Sequence, residues 1–60
     1  MNHKKDRVIP VEEKLPPPGE RVIVVCKIFR CLGYLDDKGV WRDDIKSAPL
    51  EDVIGWLEFS

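Results

Sequence analysis

The sequence predicts a mostly β chain: one small domain built as an antiparallel meander of three to four strands, in an open sheet or a small barrel. Three observations carry this reading. "RVIVVC" (21–26) places five apolar, mostly β-branched residues in a row, the pattern of a strand buried on both faces or nearly so. "DDKG" (36–39) is a hairpin turn with a glycine at the left-handed position. No segment sustains a helical apolar period for long enough to compete.

The elements follow in chain order. Residues 1–7 read as a disordered tail, and 8–60 as the single domain. "VIPV" (8–11) is short and β-branched, and its Pro10 cannot donate to a ladder, so it is an edge strand or an extended lead-in. Pro16, Pro17 and Pro18 hold an extended connector, and Gly19 permits the turn into the next strand. Glu13 is placed to pair with Arg21 across that connector. "FRCLGYL" (29–35) is a second strand, with Phe29, Cys31, Gly33 and Leu35 on one face and Arg30, Leu32 and Tyr34 on the other. "VWRD" (40–43) is the return strand, and 44–52 is a loop. "VIGWLEF" (53–59) is read as the last strand. Leu50, Val53, Ile54 and Leu57 also fit a helical face, but Gly55 and the β-branched and aromatic content favour strand.

The stretch "CKIFRC" stays open between two readings. As a four-residue loop, 27–30 brings Cys26 and Cys31 face to face and exposes Ile28 and Phe29 at its tip. As a straight run, 21–35 is one bent strand that buries both. The loop contains no Gly, Pro, Asn or Asp, which counts against it. A turn at this place in the pattern described next counts for it.

"VIPVEEKLPPPGERVIVV", "LGYLDDKGVW" and the closing "VIGWLEF" together resemble a family of short phage and prophage domains of unknown function. That family reads W-I-S-V-x-E-x-L-P, then E-R-V-L-V, then G-Y-Y with an acidic glycine turn and a Trp, then T-H-W-x-P-L-P. Ile9, Val11, Glu13, Leu15, Pro16, Gly19, Arg21, Val22, Gly33, Tyr34, Gly39, Trp41 and Trp56 stand where the pattern expects them. The departures are Val8 for the opening Trp, Pro10 for the Ser, Gly55 for the closing His, and Phe59-Ser60 at the end. The resemblance implies a mobile-element origin and a small β fold. It implies no reaction, and the family's histidine has no counterpart to carry over.

The residues themselves argue against most chemistry. His3 is the single histidine, so no nucleophile–base arrangement can be placed. One cysteine pair falls short of a four-ligand zinc site, and C-x₄-C is not a thioredoxin-type spacing. The acidic pairs are read as turn-forming or solvated. The expectation is therefore no enzyme, no cofactor and no metal. With 10 basic and 11 acidic residues the net charge is −1, which disfavours nucleic acid and anionic membrane. No apolar run reaches the length of a membrane-spanning helix, and the N-terminal stretch is polar, so the expected location is the cytoplasm of a bacterial host.

What remains is a protein-interaction module with an unidentified protein partner. Ile28, Phe29, Trp41 and Trp56 are the candidate contact residues, because exposed apolar groups rimmed by charge mark contact surfaces and aromatics dominate interface energy. Self-association as a homodimer through an open sheet edge is a companion expectation. The alternative from a different class is single-stranded nucleic-acid binding, with Arg30, Tyr34, Trp41 and Arg42 as a basic stacking surface.

Overall fold

The computed structural model describes residues 7–59. Five strands run through them: β1 (Ile9–Pro10), β2 (Val22–Cys26), β3 (Arg30–Leu35), β4 (Trp41–Asp43) and β5 (Val53–Glu58). All neighbours are antiparallel, in one open sheet of order β1-β5-β2-β3-β4. The predicted class therefore holds, as an open sheet rather than a barrel. The meander covers β2, β3 and β4. β5 does not continue it beside β4 but returns to the far side of β2, and β1 adds a fifth, two-residue edge. Of the expected tail 1–7, only Arg7 lies within the described residues, and it pairs with Glu13 at 3.6 Å. No helix among the described residues is long and apolar enough to cross a membrane.

The central position of β2 follows from its composition. A strand with neighbours on both sides has every ladder group paired, so only its faces need covering. Val22 and Val24 are fully buried on one face, and Val25 is 6% exposed on the other. On the first face Val24 stands opposite Cys31 and Trp56, and Trp56 stands opposite Ile9. Directly opposed residues share a face. Val22, Val24, Cys26 and Trp56 form the core there, with Ile9, Val11, Trp41, Leu50 and Val53 packed onto it. On the second face Ile23 lies between Leu32 and Leu57. Each fully buried aliphatic side chain contributes about 1.5–3 kcal/mol.

The connector between β1 and β2 is fastened at both ends. The Trp56 indole Nε1–H donates to the Lys14 carbonyl at 2.9 Å. At the other end the Gly19 N–H donates to the Leu35 carbonyl at 2.8 Å. Pro16 between them is buried. The expected Glu13–Arg21 brace does not form. Arg21 reaches instead to Asp44 at 3.4 Å, across Gly33 of β3, which Val22 and Asp43 flank on either side.

The β3–β4 turn is built as the sequence indicated. The Asp36 N–H donates to the Val40 carbonyl at 2.9 Å, and Gly39 takes φ 84°. The Asp36 carboxylate accepts N–H bonds from Lys38 and Val40 at 2.9 and 2.8 Å, and Arg42 Nε–H at 2.9 Å. These bonds, that of Val40 first and then that of Arg42, hold its carboxyl below the usual carboxylate range. Asp43 is lowered likewise, chiefly by the Lys46 N–H, with those of Ile45, Ser47 and Ala48 adding to it. A carboxyl with a folded pKa below its unfolded value of about 3.9 stabilises the fold fully above that value. The contribution is lost as pH falls through the lower folded value. The melting temperature followed by circular dichroism should therefore be flat near neutrality and fall below about pH 4. Asp36→Asn should lower it at pH 7 and flatten the acid limb; an unchanged acid limb in that variant would refute the assignment.

Candidate functional site

The stretch "CKIFRC" turns. The Cys26 N–H donates to the Phe29 carbonyl at 2.7 Å, leaving Lys27 and Ile28 at the tip, and Val25 pairs with Arg30. The turn is tighter than the expected four-residue loop, since Arg30 already belongs to β3. Cys31 therefore faces Val24, and Cys26 is its diagonal neighbour on the same face. Neither tip residue takes a positive φ, so no glycine is needed. A tertiary bond fixes the turn instead: the Lys27 N–H donates to the Asp52 carbonyl at 3.0 Å, and Asp52 itself takes φ 60°. Both cysteines are free thiols. Burial pushes each one up, Cys26 with added repulsion from Cys31 and Asp52, and Cys31 with added repulsion from Asp43. The thiolate needed for nucleophilic attack or metal binding is thereby disfavoured.

This end of the sheet exposes apolar side chains. Ile28 is 89% exposed and Phe29 49%. Two further isoleucines join them: Ile45, at 91%, and Ile54, at 52%. Phe29 stands between two grooves. One, of about 430 Å³, is walled by Phe29, Cys31, Leu32, Ile45 and Leu50. The other, of about 360 Å³, is walled by Val25, Cys26, Ile28, Phe29 and Ile54.

Ile45 is held out by a rigid turn. The Asp43 carboxylate accepts the N–H groups of Ile45, Lys46 and Ser47 at 3.1, 2.6 and 3.0 Å. The Asp44 N–H donates to the Leu32 carbonyl at 2.9 Å, which ties the turn to β3. Ser47 closes it at φ 58°. Two of the paired acidic residues, Asp36 and Asp43, thus accept backbone N–H bonds that shape turns.

Of the four expected contact residues, Ile28 lies at the tip and Phe29 closes the turn beside it. Trp56 does not join them: it is 3% exposed in β5, between β1 and β2, with its one side-chain polar atom already bonded to Lys14. Trp41 is half-buried, packed on the core cluster. Ile45 and Ile54 were not anticipated.

The four residues of the nucleic-acid alternative do not converge. Tyr34 and Arg42 are opposed on one face, while Trp41 is opposed to Leu35 on the other. The Arg42 guanidinium is engaged by Asp36 and by the Ser47 carbonyl at 2.8 Å, and the Tyr34 hydroxyl donates to Ser47 Oγ at 2.9 Å. Arg30 sits at the opposite end of β3 from Leu35.

The sheet edges offer little template for pairing. β4 is flanked by 48–50, through the Asp43 N–H to Ala48 carbonyl and Leu50 N–H to Trp41 carbonyl bonds at 3.0 and 2.8 Å. β1 is two residues long, one of them a proline. No family model, curated protein or solved structure matches the chain.

Proposed function

We propose that this chain is a non-enzymatic protein-interaction module that docks through the end of the sheet around Ile28, Phe29 and Ile45. The motif resemblance over residues 8–59 supports a role as an accessory protein of phage or prophage origin, and so a place of action in the bacterial cytoplasm. One observation carries the docking reading. Two grooves and three exposed apolar side chains meet at one end, on turns held by directional hydrogen bonds. Scattered single apolar residues are normal on a surface; a contiguous set rimmed by charge marks a contact site.

The test compares affinity capture from host lysate by the wild-type chain and by a Phe29→Asp/Ile45→Asp variant. Both positions are exposed, so the variant should melt within a few degrees of wild type. A central aromatic anchor is commonly worth about 2 kcal/mol or more, so a specific partner should be depleted about thirtyfold. Equal recovery by both proteins would remove this surface from the function.

A further inference from the structure

The charge around the two grooves narrows the chemistry of what they take. We infer that the partner presents an acidic segment carrying aromatic or leucine anchors, which seat on either side of Phe29. This rests on the docking reading above and deepens it.

Three cations rim the grooves: Lys27 and Arg30 beside the tip, and Lys46 beside Ile45. All three are exposed, and among the described residues none is in an ion pair. Of the carboxylates at this end, Asp52 is exposed on the turn behind Cys26, while the two that line the grooves are held. Asp43 accepts three backbone N–H bonds, and Asp44 is paired with Arg21. The exposed charges at the grooves are therefore three cations against one carboxylate, Asp52, although the whole chain is net −1. Complementary charge across an interface sets partner choice and association rate. The apolar walls supply the rest, because an anchor entering a groove is desolvated on several sides at once.

Concavity favours a peptide over an anionic bilayer. A lipid surface could cover the projecting Ile28 with Lys27 and Arg30 at the headgroups. It would leave the groove walls behind Phe29, formed by Cys31, Leu32 and Leu50, without a partner. An anchoring side chain fills that space.

The experiment uses the full chain and three fluorescein-labelled twelve-residue peptides with the same Phe and Leu anchors. Their flanks are Asp and Glu, Lys, or Ser and Gln. Anisotropy titrations are run at low and at physiological salt, beside sedimentation with phosphatidylserine-containing vesicles. The acid-flanked peptide should bind at least tenfold tighter than the Lys-flanked one, and the gap should shrink with salt. Lys27→Glu/Arg30→Glu/Lys46→Glu should reverse the order. Phe29→Asp should abolish binding of all three peptides. If the three peptides bind equally and Phe29→Asp still abolishes binding, the acidic-partner inference falls while the docking reading stands. Binding that survives Phe29→Asp, no peptide binding, or a preference for vesicles overturns the inference, and the lysate capture then decides the docking reading by itself.

Discussion

Trp56→Ala is expected to leave the chain without a cooperative fold at room temperature. The side chain lies in β5 between β1 and β2, opposite both Ile9 and Val24. It is 3% exposed, so its removal opens a cavity where two ladders meet. Truncating a buried tryptophan commonly costs about 3–5 kcal/mol. A domain of this length sits near the low end of the usual 5–15 kcal/mol of stability. Removing the indole also loses the Nε1–H to Lys14 carbonyl bond that ties the near end of the connector to β5. Lys14 is exposed, so its carbonyl can rehydrate and that second cost is small. Trp56→Phe isolates the two contributions: it keeps a ring in the core and loses the bond, so it should cost far less than Trp56→Ala and stay cooperative. Urea unfolding followed by far-ultraviolet circular dichroism checks both. A Trp56→Ala chain with a wild-type midpoint would place the core elsewhere.

The same residue shows where sequence reading stops. Alternation places Trp56 on one face with Ile54, but it does not say which face is inner, nor that a register shift opposite Cys26 turns Ile54 out while Val53 packs on the core. That depends on β5 lying between β1 and β2, and nothing local in Val53–Glu58 names those neighbours. What was legible is what short-range chemistry dictates. Five apolar residues in a row demand a central strand, and Asp36 with Gly39 demands a turn. The tip turn was the harder case. Lys27 and Ile28 have no turn preference, and the bond that holds them comes from Asp52, far along the chain. Ion pairing failed for a similar reason: Glu13 and Arg21 are near in sequence, but the fold offers each a nearer partner. The candidate surface was half legible. Ile28 and Phe29 stand out because charge flanks them. Ile45 is a lone isoleucine in a polar loop and Ile54 an alternating strand residue, and only the fold brings them to the same end. The one local hint was "DDIKS", an exposed-looking turn that keeps a large aliphatic residue.

Gly33→Ala should be the most damaging single-methyl change, and its damage should reach the proposed docking surface. Gly33 is buried in β3, opposite Val22 on one side and Asp43 on the other. A Cβ there would collide with the Arg42 carbonyl oxygen and lie 3.1 Å from Val24 Cγ2. The first obstacle is backbone, so no side-chain rotation relieves it. Either β3 bends or β4 moves away. β4 is the cheaper to move, being three residues at the edge of the sheet. Overpacking of this kind commonly costs about 1–3 kcal/mol, and a backbone obstacle puts Gly33→Ala at the upper end. Displacing β4 would uncover the core beside Trp41 and shift Asp43, whose carboxylate shapes the turn that presents Ile45. The expected result is therefore a lower urea midpoint, a red shift in tryptophan emission in the native baseline, and weaker partner capture with Phe29 and Ile45 both intact. Gly39→Ala separates close approach from backbone conformation: its Cβ would meet open space, and its cost comes only from φ 84°. It should lower the midpoint without moving the emission or the capture. If Gly33→Ala unfolds like wild type with unchanged emission, β3 and β4 do not approach as closely as this packing requires.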